Sequence, residues 1–183
     1  MGITELTIEE RNWEMTLGGE QMLACTMHIP HVDGTGRAAK RIARHYKRLE
    51  TLWTNYVRRE LYLYACLEFA QRQEQSRPFR AWQGRLDCKL SWQRGGIAGL
   101  RVSWWERRGF RAPEERVWGD TWYLDSGEVC TLGAFAPHKR LGAIWLSGRP
   151  GVKELGRCRE FYPAADGLHL IGRGGQEGTV QMA

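Results

Sequence analysis

The chain has 183 residues, 42% of them hydrophobic and 26% charged. That is the size and make-up of one globular domain, and it excludes a disordered tail, a collagen-like fibre and a coiled-coil rod. Twenty-seven lysines and arginines against 21 aspartates and glutamates give a net charge of +6, which favours anionic partners without requiring one.

In chain order, Trp13 to Leu17 and Gln21 to Ile29 are expected as two strands around the Gly18-Gly19 turn, with Pro30 ending the second. Loop residues His31 to Gly34 follow, and Thr35 is placed to cap a helix. Apolar side chains then recur at Ala38, Ile42, Tyr46, Leu49, Trp53, Tyr56, Val57, Tyr64 and Leu67, mostly in steps of three and four. One long amphipathic helix is therefore predicted, running to about Gln75 with a break in the middle left open, because Pro78 cannot continue it. Near Leu86 the period drops to two. Leu86, Cys88, Leu90 and Trp92 alternate with polar residues, Gly95-Gly96 turns the chain, and Leu100, Val102 and Trp104 return. Trp118 to Leu124 and Cys130 to Phe135 read as a third and fourth strand, Pro137 to Leu146 as a short helix, and Phe161-Tyr162 with Leu168 to Ile171 as a last hairpin. The expected fold class is α+β: an antiparallel β-sheet packed by one long amphipathic helix, forming a single domain over 1–173. Within it, 1–80 supplies the hairpin and helix and 81–173 an antiparallel meander, while 174–183 is a flexible glycine-rich tail.

The five cysteines are widely spaced, with neither a zinc knuckle nor a CxxC pair, and several occupy apolar strand positions, so most are read as reduced core residues. No apolar run approaches the roughly 20 residues that cross a bilayer, and residues 1–10 carry three glutamates and no basic side chain. Neither a membrane span nor a secretion signal is expected, and a cytoplasmic location follows from that.

Three stretches carry a resemblance. They are Met27-His28-Ile29-Pro30-His31-Val32-Asp33-Gly34 before the basic-aromatic helix, Trp122 to Leu132 with its aromatic-x-Leu-x-x-Gly-x-x-x-Thr-Leu pattern, and Phe161-Tyr162-Pro163-Ala164-Ala165-Asp166-Gly167-Leu168. In this order the chain resembles a bacterial family of unknown-function domains, the one forming the extracellular part of the sigma-V anti-sigma factor and the non-catalytic portion of a peptidoglycan deacetylase. The resemblance implies an α+β domain without catalysis that binds cell-envelope glycans or envelope-associated proteins, exported in its usual members. Where the family carries a Gly-Ala-His segment, this chain has Gly109-Phe110-Arg111-Ala112-Pro113. Lysozyme, partner of the anti-sigma member, is basic, and so is this chain, which argues against that partner.

Four sets of residues are candidates for function. Trp105 should point away from the face that buries Trp104, and with Phe110, Arg111 and Arg116 it forms the expected ligand-binding surface for a glycan or protein. Arg37, Lys40, Arg41, Arg44, Lys47 and Arg48 form a basic helix face able to track nucleic acid or another anionic polymer. His28, His31 and Asp33 are competent metal ligands, but residues three apart on a strand face opposite ways, so no metal is expected. Catalysis is not expected either. No Gly-x-Ser-x-Gly elbow is present, Asp120 and Asp125 are carboxylates of a kind any sheet offers, and the glycines of 173–178 precede no helix. Nor is a cofactor needed to account for the fold.

Overall fold

The computed structural model describes residues 5–135, 160–172 and 177–180. The short helix expected over Pro137 to Leu146, with Trp145, lies outside them, as does Cys158. The first strands, β1 (Glu5–Leu17) and β2 (Glu20–Asp33), join through Gly18 and Gly19, whose φ angles of 60° and 90° suit a tight hairpin turn. β2 does not stop at Pro30 but continues through the residues expected as a loop, with Pro30 opposite Ile8. Beyond His28 the other edge of β2 has no strand partner among the described residues, so a residue lacking an N–H is tolerated there.

A helical run follows as α1 (Arg37–Tyr56), a π-helical turn over Val57–Leu61, and α2 (Tyr62–Glu74). Its N-cap is Gly36, not Thr35, and no side chain caps it. Ser76 then takes a left-handed φ of 51° and stops the helix ahead of Pro78. The π turn also changes which residues face inward. Ile42, Tyr46, Trp53 and Val57 are buried as the stripe predicts, but past the wide turn Leu61 and Ala65 take the buried positions, and Tyr64 and Leu67 stand exposed. A turn closed by i→i+5 hydrogen bonds sets the inward step to four residues and shifts the stripe off its expected line.

The remaining strands are β3 (Trp82–Arg94), β4 (Ile97–Arg107), β5 (Glu114–Tyr123), β6 (Glu160–Ala164), β7 (Gly167–Ile171) and β8 (Glu177–Val180). β1 to β5 form one sheet in chain order and β6 to β8 a second. The fold is α+β and rich in antiparallel pairs, with one parallel junction: Leu23 to His28 of β2 lie beside Trp82 to Asp87 of β3. The helix makes the crossover that such a junction requires. The expected fourth strand is reduced to a bridge between Val129 and Trp122 and a 3-10 turn over Leu132–Ala134. Within the span expected to be loose, β8 pairs with β7.

One face of the large sheet meets the helix. Trp53 sits against Gly84, where an added Cβ would lie 3.2 Å from its Cη2, and Trp104 meets Trp53 edge-on at 4.7 Å. Leu23, Met27, Leu86, Cys88, Leu100 and Val102 fill the same layer. Burying each side chain of this size stabilises the fold by roughly 1.5–3 kcal/mol. Half of the opposite face is covered by the second sheet. There Gly99 and Gly119 let the strands approach so closely that a Cβ on Gly119 would fall 2.3 Å from the Phe161 carbonyl oxygen. Thr121 donates to that oxygen at 3.0 Å and Ser91 donates to the Pro163 carbonyl at 2.7 Å.

Candidate functional site

No described residue covers the other half of that face. Strand register sets Asn12, Thr26, Arg85, Trp105 and Glu115 in one row across all five strands of the large sheet. Two-residue alternation turns Trp105 away from Trp104, as the sequence predicts, and leaves it half-buried among polar neighbours. The Arg85 guanidinium lies 5.2 Å from the centre of its ring. Thr26 donates to the Asn12 side-chain oxygen at 2.7 Å, and the Asn12 amide donates to Glu10 at 2.6 Å. That amide, together with the nearby charge of His28, holds the Glu10 carboxyl below the usual carboxylate range. Asn12, Thr26, Gln83, Arg85 and Trp105 line a cavity of about 510 Å³.

Phe110, Arg111 and Arg116 do not join Trp105. After β4 the chain turns at Gly109 (φ 56°), which lies beside Glu68 of α2, so the loop folds back toward the helix side. Phe110 is exposed there, with the Arg72 guanidinium 5.2 Å and that of Arg80 6.0 Å from its ring centre. Arg111 lines a separate cavity of about 520 Å³ at the end of α2. Arg116 pairs with Trp104, the residue that alternates opposite to Trp105, and so belongs to the helix-side face of the edge strand. The expected four-residue surface is thus three places, because alternation and one glycine turn divide it. Asn12, Thr26 and Arg85 were not anticipated as neighbours of Trp105. The alternation marks Arg85 as outward-facing, but only the parallel junction sets β2 beside it.

The basic helix residues Arg37, Lys40, Arg41, Arg44, Lys47 and Arg48 are all exposed along α1. Arg41 pairs with Glu128 at 3.1 Å and Lys47 with Glu50 at 3.0 Å, while Glu50 also holds Arg11 at 2.7 Å. Among the described residues, Arg37, Lys40, Arg44 and Arg48 have no carboxylate within ion-pair distance. Arg44, Lys47 and Arg48 border a groove of about 850 Å³ that reaches Ile29 and Tyr46.

The two histidines of the His28, His31, Asp33 cluster have separate partners. His28 Nδ1 is 3.0 Å from Asp87, whereas His31 lies 3.2 Å from Glu9 and 3.3 Å from Asp33. Among the described residues no three His, Cys, Asp or Glu side chains converge as a metal cage. A His-Asp pair that the sequence did not reveal joins helix and sheet: His45 Nε2 is 3.1 Å from Asp120, edge-on to Trp122 at 4.9 Å. Cys88 is buried nearby, and burial with the Asp120 and Asp87 carboxylates drives its thiol far above the ordinary range. Burial likewise pushes Cys25 up to about 12, so both thiols are held protonated and poorly nucleophilic at neutral pH. Cys25, Cys66, Cys88 and Cys130 are all free.

Fold and surface together define an α+β domain of a mixed five-stranded sheet, one long helical crossover and a small second sheet, with a polar sheet face that no described residue covers. Among solved structures, a DUF3298 family member from Bacteroides fragilis NCTC 9343 is similar at TM-score 0.66 and 10% identity, over 97% of this chain and 90% of that one. A DUF3298 family protein from Pseudomonas aeruginosa PAO1 is similar at TM-score 0.50 and 10% identity, over 100% of this chain and 91% of that one. No family model and no curated protein matches the sequence. What this chain shares with DUF3298 proteins is its fold. Among the described residues no helix is long and apolar enough to cross a membrane.

Proposed function

We propose that this domain is a non-catalytic recognition module that binds a cell-envelope glycan, or a protein associated with one, on the open half of the large sheet. The observation that carries this reading is Trp105, the aromatic in a row of hydrogen-bonding side chains that borders a concave surface. Aromatic faces stack on sugar rings while neighbouring amides, hydroxyls and guanidinium groups orient the hydroxyls, and a site of this kind needs no cofactor. Kinship with the extracellular part of the sigma-V anti-sigma factor and with the deacetylase belongs to the same proposal. The like charge of lysozyme argues against it as ligand.

The test is co-sedimentation with purified peptidoglycan and calorimetric titration with N-acetylglucosamine oligomers. Trp105→Ala should abolish retention and Arg85→Ala should weaken it. Equal retention of wild type and Trp105→Ala would sink the proposal. A second reading, binding of nucleic acid or another anionic polymer by α1, draws on Arg37, Lys40, Arg44 and Arg48, which no described carboxylate reaches. Reversing Arg41, Arg44 and Arg48 to glutamate should then abolish salt-dependent retention on heparin and leave glycan binding intact.

A further inference from the structure

The cavity at the end of α2, closed by the loop between β4 and β5, faces the helix side and is separate from the surface around Trp105. Four arginines line it, Arg72, Arg77, Arg108 and Arg111, against the single carboxylate Glu68. We propose that it binds a small, multiply charged anion of the phosphate or polycarboxylate class.

The arginines are of two kinds. Arg72 and Arg108 are fixed posts. Arg72 donates through Nε to Glu68 at 2.6 Å and through Nη1 to the Pro78 carbonyl at 3.1 Å, which leaves its Nη2 uncommitted. Arg108 directs Nε and Nη2 at Glu106, at 2.8 Å and 2.6 Å, and leans 5.6 Å from the centre of the Trp82 ring, leaving Nη1 uncommitted. Glu106 is itself locked by the Tyr56 hydroxyl, which donates to it at 2.6 Å. Both oxygens of Glu68 are likewise occupied, one by Arg72 and the other by the Trp82 indole N–H at 2.7 Å. The acidic groups therefore serve to aim guanidiniums.

Arg77 and Arg111 are free arms. Both are exposed, and neither side chain has a hydrogen bond or ion pair among the described residues. A guanidinium presents planar paired donors to phosphate or carboxylate, and donors held in place before binding lose less entropy on capture. Four clustered guanidiniums against two committed carboxylates, Glu68 and Glu106, leave a net positive charge carried by Arg77 and Arg111, which an anion of several charges would meet. Gln71 and Gln75 supply neutral donors on the helix side. Because the site is a concavity rather than a track, it suits a compact anion better than a polymer.

Calorimetric titration of the full chain with tripolyphosphate, and separately with citrate, tests this. The expected result is one-to-one binding that weakens as salt is raised and falls ~10-fold or more in the double variant Arg77→Glu/Arg111→Glu. Both substituted side chains are exposed and unbonded, so the variant should keep its fold. As a check that needs no variant, the Trp82 indole N–H resonance of the wild type should shift on titration through its bond to Glu68. Trp105→Ala should bind the anion like wild type, so failure here and failure of the glycan reading are told apart. No binding at ~10 mM anion at low salt, where charge contacts are strongest, would overturn the proposal. So would an unchanged affinity in the double variant, or binding lost only on reversing Arg44 and Arg48 of α1.

Discussion

The outer face of the large sheet is built in two ways along the same strands. Where the second sheet covers it, β4 and β5 carry Gly99 and Gly119, and bare backbone receives Pro163 and Phe161. A few residues away the same strands carry Trp105 and Glu115 beside Arg85, and nothing among the described residues covers them. Where a partner belongs to the chain, side chains are removed so that backbones can meet. Where side chains are displayed and no described residue covers them, the strands keep their full complement of polar groups at the surface. Arg101 marks the border, reaching Glu177 of the second sheet at 2.9 Å and Glu115 of the open row at 3.6 Å.

The covered half is most sensitive at its glycines. Gly119→Ala places a methyl 2.3 Å from the Phe161 carbonyl oxygen, and the rigid backbone cannot yield cheaply. Urea unfolding should show a loss of about 1–3 kcal/mol, as other overpacked sites do, or a separate early transition of the second sheet. If Gly119→Ala is neutral, the two sheets are not closely joined.

A smaller effect is expected where helix and sheet share a proton. The Tyr56 phenol, partly buried and donating to Glu106, is pushed up to about 12 from an ordinary value of 10.0. Folding thus favours the protonated phenol. Its stabilisation should be whole below about pH 10 and disappear as the pH rises toward 12. Tyr56→Phe should cost about 1 kcal/mol at pH 8, with the gap from wild type closing at pH 11. A gap constant across that range would contradict the assignment. Ser91→Ala should cost about 0.5–1.5 kcal/mol by leaving the Pro163 carbonyl short of a donor. The smallest change is expected on the other half: Trp105→Ala should alter stability by about 0.5 kcal/mol or less, because its side chain is half-exposed and no described residue packs over it.

How much of this was legible in the sequence depended on distance along the chain. Alternation at Leu86, Cys88, Leu100 and Val102 encodes the inner face of β3 and β4 directly, since each residue reports its own side of the sheet. Ile42, Tyr46 and Trp53 encode the helix stripe in the same local way. The π turn was not legible, because one widened turn leaves no mark in composition, and Tyr64 and Leu67 were therefore placed on the wrong side. Pro30 misled for a different reason: whether a proline ends a strand depends on which edge lacks a neighbour, and that is decided by β3, far along the chain. The candidate site divided in the same way. Trp105 could be assigned to an outward face from Trp104 alone, whereas its true neighbours Asn12 and Thr26 lie across the parallel junction. The arginine cavity gathers residues from the end of α2 and the loop after β4, which no spacing connects.

That parallel junction also bears on the order in which the molecule assembles. The β1–β2 and β3–β4 hairpins can each zip from a glycine pair, but Leu23 cannot find Trp82 until the intervening helix has spanned the distance between them. The helix acts as a calliper whose length, one widened turn included, determines which rung of β2 meets which rung of β3. Pairings so remote along the chain close slowly, so the step that completes the sheet should limit the rate of refolding.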